Sequence, residues 1–394
     1  MDKTLKFIYI ENFKAFKKLC SELAKTTLII GGRRSGKTSF IEALEILSRY
    51  SREYTLNGSV YRHWWGLSNL ANDPDKPVLI GIGLDIDGST GLFRLVIDAK
   101  KGRWIEEYVI HNTVISISEG GIQFSIASNE LFKKIPYVRS NKPSPLEALG
   151  TEKIVSSIRP WNGLTEYGRT SLFYWGDLET ALKEASDIIA RTLSYRIAQK
   201  KPSKKPTYRV RKYGELYDLI YNVARLAILS SHILSSAVYI KWVDFRLTIN
   251  PVKDVFGYLR YDASNLYGYI KRLASRGNKL RYTDLMLKLY CGGKSHIELT
   301  ELPNKTIYPI IVCNGRSIPP PNMPLGLIKS LVLGVALDTG SPLVVVDDFD
   351  EYLDEDLAHR YIDIVGKTGS QVILSTRRAV YASTLPRENI VFLG

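Results

Sequence analysis

The sequence predicts an α/β fold of two lobes, carrying an antiparallel meander and an inserted helical hairpin arm. Three observations carry that reading. Short, continuous apolar runs (TTLII at 26–30, PLVVV at 342–346, QVILS at 371–375) alternate with helical patterns. Strands of a parallel sheet covered on both faces read this way. Five strand-like runs between 78 and 126 are separated by the turn signals DGSTG, KKG and EGG. Two helical stripes, near 177–200 and 214–237, flank a basic segment that contains prolines.

Taken in order, residues 4–10 (TLKFIYI) read as a strand and 26–30 as a second. After GGRRSGKTS, the segment FIEALEILSRY places Phe40, Ile41, Ala43, Leu44 and Leu47 on one broad face, which is helical spacing. The meander runs VLIGIGLDI, LFRLVIDA, WIEEYVIH, TVISIS and IQFSIA follow, and 140–170, with Pro143, Pro145 and Pro160, reads as irregular. The first helical stripe is Leu178, Leu182, Ala185, Ile189, Leu193 and Ile197; the second is Leu216, Leu219, Val223, Leu226 and Ile233. Pro202 and Pro206 prevent one continuous helix, so a hairpin with a basic tip is expected. From 240 onward, YIKWVDFRLTI, HIELTEL and TIYPIIVC read as strands and NLYGYIKRLAS and TDLMLKLYC as helices. The apolar helix LIKSLVLGVALD, the strand PLVVV, an acidic run, a helix to Val365 and the strands QVILS and NIVFL complete the chain. The division expected is 1–165 (lobe I), 166–245 (hairpin insertion) and 246–394 (lobe II), the two lobes folding together.

Composition bounds the function. The 394 residues are 45% apolar and 24% charged, which excludes a disordered or collagen-like chain. Three cysteines, Cys20, Cys291 and Cys313, exclude a disulfide scaffold, and no two stand at zinc or redox spacing. A reducing, cytoplasmic location is therefore expected. No signal peptide is expected, since the start MDKTLKFIYIENF has early acidic residues and no small-residue cleavage site. The weakly polar stretch 226–240 is too short for a membrane span, and its His232 is expected in the core of a buried helix. The five histidines show no ligand spacing, so no zinc is expected. Few Gln, Cys and Met residues among many charges fit a thermophile. The net charge of +14 favours a polyanionic partner.

The most specific signal is Gly31-x4-Gly36-Lys37-Thr38, the P-loop pattern. Glycines let backbone N–H groups wrap phosphates, with Arg33, Arg34, Ser35 and Ser39 completing the loop around them. Lys37 would reach the β- and γ-phosphates of ATP, and the Thr38 hydroxyl would bind Mg²⁺. The following helix points its N-terminus at the anion. The strand Leu343–Val346 ends in Asp347 and Asp348, the second half of such a site. Asp347 would hold Mg²⁺, and Asp348 sits where a base orients the attacking water. Seven of the ten positions 347–356 are acidic, so some of them are expected to be plain surface.

At these residues the sequence resembles the RecF/SMC-type ABC ATPases, and more closely the OLD-like AAA ATPases. FIYIENFKAFKKL…TLIIGGRRSGKTSFIEALEIL resembles their opening, YDASNLYGYIKRLA a phrase before a helix, and QVILSTRR their switch strand. DDFDEYLD matches the spacing of Walker-B acid, catalytic acid and D-loop, with Leu353 and Asp354 as the D-loop pair. The resemblance implies an ABC-type P-loop ATPase head and an ATP-dependent homodimer. Several positions depart from the pattern. The catalytic acid, usually Glu, is Asp348; the switch His is Arg377, charged at any usable pH. Of the signature motif only Gly326 remains, with Pro324 or Leu325 where a serine is usual. No OLD-type nuclease domain is expected after the last strand. These departures lie at the γ-phosphate end. Sound ATP binding is expected, with slow or partner-dependent hydrolysis in which Arg33, Arg34 or Arg377 supplies the compensating charge.

Residues 191–212 hold nine basic residues and no acidic one; Lys200, Lys201, Lys204, Lys205, Arg209, Arg211 and Lys212 cluster at the expected tip. Such a run reads as a contact to the phosphate backbone of nucleic acid, double-stranded DNA above all. The function expected is a nucleotide-driven switch or clamp on DNA, in repair, chromosome organisation or defence. The alternative is a nearly inactive ATP-binding subunit that controls a separate effector such as a nuclease.

Overall fold

Apolar residues run nearly without a break from Leu5 to Phe13, and this segment forms β1 with Leu5, Phe7, Ile8, Tyr9, Ile10 and Phe13 buried. The chain turns back at once as β2 (Phe16–Glu22), a strand the sequence pattern did not reveal because most of it faces solvent. The computed structural model describes residues 4–53, 66–86, 88–118, 121–138, 153–156, 206–241, 259–260, 262–277, 279–301 and 307–394, with single positions at 64, 140, 144 and 146. These residues form two compact units, one of 1–22 with 42–235 and one of 23–41 with 236–394.

The first unit is built on an antiparallel sheet in the order β2-β1-β4-β5-β6-β7-β8-β9. Its centre is the expected meander: β4 (Val78–Ile86), β5 (Ser89–Asp98), β6 (Arg103–Ile110), β7 (Thr113–Ser118) and β8 (Gly121–Ile126). The short β9 (Lys153–Ser156) pairs with β8, where an irregular segment was expected. A small helix α2 (Asn129–Lys134), N-capped by Ser128, covers part of one face.

Asn12 fixes the loop after β1. Its φ of 55° is left-handed, a region that suits asparagine. Its buried side-chain amide donates to the carbonyls of Asp73, Lys76 and Pro77, at 2.9, 2.8 and 3.3 Å, and its Oδ1 accepts from the Asp73 N–H at 2.6 Å. Trp64 is buried, as core packing requires, with Lys14 and Arg49 over its ring.

Helix α1 (Lys37–Glu53) carries the expected apolar face, and the boundary between the units falls inside it. Its second half caps the end of α3 (Pro206–Ser235). Ser48 Oγ donates to the Leu234 carbonyl at 2.6 Å, Ser51 Oγ to Ser231 at 3.1 Å and Arg52 Nε to Ser235 at 2.7 Å. The Leu234 and Ser235 carbonyls, among the last four of that helix, have no partner within it. Beneath α1, Tyr50 and Tyr108 donate to the buried Glu106 carboxylate at 2.5 and 3.0 Å. Pro206 starts α3 rather than breaking it, since a proline is tolerated at the first helical position. The stripe at 177–200 and residues Lys200, Lys201, Lys204 and Lys205 lie outside the described residues; Arg209, Arg211 and Lys212 fall in the first turns of α3. His232, expected in the core, is exposed: the helix turns it away from the stripe that buries Leu226 and Ile233.

The second unit is built on a parallel sheet in the order β10-β14-β15-β3-β16, formed by β10 (Val238–Ile240), β14 (Leu343–Val346), β15 (Gln371–Thr376), β3 (Thr26–Gly31) and β16 (Ile390–Leu393). Every residue of β3, β14 and β15 is buried, which accounts for their unbroken apolar runs. The P-loop strand β3 pairs in parallel with β15 and β16 and belongs to this sheet. Around the sheet lie α4 (Leu266–Ser275), α5 (Arg281–Cys291), α6 (Leu325–Asp338) and α7 (Glu355–Gly366). Helix α6 is buried from Gly326 to Leu337, as a helix apolar all round must be. A small antiparallel sheet, β11 (Ser295–Glu301), β12 (Ile307–Cys313) and β13 (Arg316–Ile318), follows α5.

One expectation about cysteine is corrected. Cys291 and Cys313 form a disulfide with Cα atoms 5.5 Å apart. They are 22 residues apart in sequence, but the β11–β12 hairpin returns Cys313 beside the end of α5. The cysteine count therefore carries no argument for a reducing compartment. No helix among the described residues is long and apolar enough to cross a membrane.

Replacing Asn12 by alanine removes the partner of the Asp73 amide and of the Lys76 and Pro77 carbonyls, while the Asp73 carbonyl keeps the Lys76 N–H at 3.2 Å. Asn12→Ala is expected to destabilise the fold by about 2 kcal/mol. The check is a lowered urea midpoint together with faster hydrogen exchange at the Asp73 amide.

Candidate functional site

The site is assembled at the carboxyl ends of β3, β14 and β15, where open α/β sheets place their ligands. Gly31 ends β3, and the loop Gly32–Gly36 leads into α1, whose first residues are Lys37 and Thr38. The loop is held from within. Lys37 Nζ, buried, donates to the carbonyls of Gly31 at 2.7 Å and Gly32 at 2.9 Å. Gly36 has a φ of 97°, which a side chain would strain. Arg33 and Arg34 are exposed, Arg34 with a left-handed φ of 65°. Ser39 is half-buried on the first turn of α1.

Asp347 is the centre of the arrangement. Thr38 Oγ1 donates to its Oδ2 at 2.9 Å, and Ser375 Oγ, at the end of β15, donates to its Oδ1. The Ser375 hydroxyl also accepts the Asp348 N–H at 2.9 Å, and the Ser375 carbonyl accepts the Phe349 N–H at 2.9 Å. The turn after β14 is thereby fixed to the end of β15, with Asp348 at a left-handed φ of 40°. Sequence reasoning missed Ser375; its place one residue before the end of the switch strand was the only signal.

Beyond β15, two arginines meet two carboxylates. Arg377 Nη2 lies 2.9 Å from Asp348 Oδ2, and Arg378 Nε lies 3.5 Å from Asp350 Oδ2. Asp350 is buried, and that burial raises its carboxyl pKa against the pull of a Thr376 hydrogen bond and Arg378. Asp348 Oδ1 is buried and has no hydrogen-bond partner.

Lys329 was also missed. It lies in the middle of α6, 2% exposed, with its Nζ 3.4 Å from the Asp347 carbonyl. Burial lowers its pKa from the ordinary lysine value, and the charges of Glu351, Asp347, Asp348 and Asp350 oppose that shift. Its signal was present in the sequence: it is the only charge between Leu325 and Leu337 in an apolar helix.

The remaining candidates have structural settings. Gly326 begins α6 beneath the acidic turn, where a Cβ would stand 2.6 Å from the Tyr352 carbonyl and 3.0 Å from the Tyr290 ring. Pro324 is the N-cap of that helix. Leu353 is buried, and Asp354 is the N-cap of α7, accepting the Leu357 N–H at 2.7 Å.

The loop fits a nucleotide's phosphates on its own geometry. Ser35 Oγ is buried without a partner, and no heavy atom lies within 4 Å of where a Cβ on Gly32 would stand. The Thr38–Asp347 pair is a hydroxyl and a carboxylate side by side, the oxygen donor set that Mg²⁺ takes.

Residues 4–133 match the family model described as an AAA ATPase domain. The matched stretch holds β1, the phosphate loop and the meander. Among solved structures, the chain is similar to an SMC head bound to the C-winged helix domain of ScpA. That pair is 14% identical with a TM-score of 0.49, covering 96% of this chain and 91% of the other. An SMC head with an extended coiled coil, bound to the C-terminal domain of ScpA and derived from Pyrococcus furiosus, is 16% identical (TM-score 0.44; 96% and 91% covered). The SMC head domain from Thermotoga maritima is 12% identical (TM-score 0.40; 96% and 91% covered). No curated protein matches the sequence.

The cap at Asp354 gives a prediction that is independent of nucleotide. Asp354→Ala is expected to cost about 1 kcal/mol of stability through the lost cap. It should appear as a lowered denaturation midpoint in nucleotide-free protein.

Proposed function

We propose that this ATPase is a nucleotide-driven switch or clamp acting on double-stranded DNA, with slow intrinsic hydrolysis. The observation that carries the nucleotide part is the join of Thr38 and Ser375 on the Asp347 carboxylate. In this reading the backbone N–H groups from Arg33 to Ser39 wrap the phosphates. Lys37 leaves the Gly31 and Gly32 carbonyls for the β- and γ-phosphates. Thr38 and Asp347 hold Mg²⁺, which when bound neutralises charge on the β- and γ-phosphate oxygens. Asp348 orients the attacking water and takes its proton. Leu353, Asp354 and Gly326 belong to the surface on which a second copy docks, an expectation from the resemblance alone. The DNA part is supported by the nine basic residues of 191–212, which suit a salt-sensitive, sequence-independent contact. A cytoplasmic location belongs to the same proposal.

A second reading is favoured by one observation. Asp348, the residue assigned to the water, is paired to Arg377. A site whose base is occupied suits a nearly inactive ATP-binding subunit that gates a separate effector such as a nuclease.

One experiment separates the two: ATP hydrolysis measured with and without double-stranded DNA, with Lys37→Ala as the blank. The first reading expects turnover that DNA stimulates and the variant abolishes. Turnover at the blank level in both conditions, with ATP still bound, would overturn it in favour of the second. ATP affinity in Lys37→Ala should fall about 10–100-fold, the worth of one charge-assisted hydrogen bond to phosphate.

A further inference from the structure

A second basic surface lies at the corner between α4 and α5. Residues 263–283 hold five basic residues and no acidic one, and all five fall in the eleven positions 271–281. Lys271 and Arg272 lie near the end of α4, Arg276 is its C-cap, Lys279 follows in the connection, and Arg281 opens α5. Lys271, Arg276, Lys279 and Arg281 are exposed, and among the described residues none of the four enters an ion pair. Two of the guanidiniums are laid on rings: Arg272 stands over Tyr269 at 5.7 Å and Arg281 over Tyr282 at 5.8 Å. Stacking of this kind steadies an arginine at the surface while its N–H edge stays open to a partner.

Helix stability explains only part of the cluster. A cation at the end of a helix is favoured by the carbonyls exposed there, which accounts for Arg272 and Arg276. The same rule disfavours Lys279 and Arg281, which stand at the start of α5. The amides of that first turn are served by Asp338 instead. Its carboxylate accepts the Tyr282 and Thr283 N–H groups, each at 2.9 Å, and the Thr283 hydroxyl at 2.6 Å. Lys279 and Arg281 therefore add nothing that the fold of α5 needs, and gathering like charges costs stability.

The surface is remote from the phosphate loop. Asp338 ends α6, whose Gly326 lies beneath the acidic turn. At a rise of about 1.5 Å per residue, the fourteen residues of α6 span about 20 Å. The chain then enters β14 at Leu343, so the corner stands toward the starting ends of the strands, away from their carboxyl ends.

We propose that the α4–α5 corner is a contact surface for the phosphate backbone of double-stranded DNA, separate from the nucleotide site and from residues 191–212. Phosphates spaced along a duplex match cations spaced along a corner, and such a contact needs no base edge. An anionic membrane fits less well, because among the described residues no large apolar side chain between 271 and 281 is exposed to insert into it. The inference rests on the DNA partner of the proposed function and gives it a second contact that does not depend on nucleotide.

The test is binding of a labelled DNA duplex of about 20 base pairs by the whole chain over a series of salt concentrations. Four proteins are compared, and each variant removes three charges. They are the unaltered chain, the corner variant Lys271→Gln/Lys279→Gln/Arg281→Gln, the variant Lys200→Gln/Lys201→Gln/Lys204→Gln, and the control Lys17→Gln/Lys18→Gln/Lys25→Gln, whose lysines are exposed on β2 and just before β3. The corner variant is expected to lower the slope of log affinity against log salt by about 2–3, and to weaken binding on the order of 100-fold at about 0.1 M salt. The loss should be the same with and without a non-hydrolysable ATP analogue. Its urea midpoint should be unchanged or raised, which separates lost binding from lost fold. The control should change the slope by less than about 1. Equal losses in the corner variant and the control would reduce the effect to net charge and overturn the proposal. Unaltered binding in the corner variant would overturn it too, as would corner-dependent binding to phosphatidylserine vesicles in place of DNA. If only the Lys200/Lys201/Lys204 variant loses affinity, this surface falls and the proposed function stands. If only the corner variant does, the basic run at 191–212 loses its role and this surface stands. A chain that binds no duplex at low salt sinks both.

Discussion

The candidate site depends on a single carboxylate. Asp347 accepts from Thr38 and from Ser375, residues that belong to three different stretches of chain, and the Thr38 contact spans 309 positions. The parallel order β14-β15-β3 makes the contact possible, because it brings the carboxyl ends of the three strands together. The buried strands beneath supply the rigidity. β3, β14 and β15 have no exposed residue, so the loops above them rest on a close-packed base.

The sequence discloses the parts of this arrangement that have a period or a fixed spacing. The strands at 26–31, 343–346 and 371–376 are unbroken apolar runs, and the P-loop spacing is a local constraint on one turn and one helix start. The meander was readable because alternation and turn residues are local. What stayed hidden is long-range or faintly patterned. β2 faces solvent along most of its length and so lacks a clear apolar alternation. The Cys291–Cys313 bond needed the β11–β12 hairpin to close it. Asn12 was recognised as part of a phrase, but its reason appears only in three dimensions, where it gathers the 73–77 loop.

The acidic run after β14 holds seven acidic residues in ten positions, of which some were expected to be plain surface. Glu351, Glu355 and Asp356 are exposed. Others have separate settings. Asp347 joins Thr38 to Ser375, Asp348 meets Arg377, Asp350 is buried beside Arg378, and Asp354 caps α7. Lys329 is buried under the turn, and the charges of Glu351, Asp347, Asp348 and Asp350 oppose the lowering of its pKa by burial. Two consecutive arginines just beyond β15 thus address alternate aspartates on the turn.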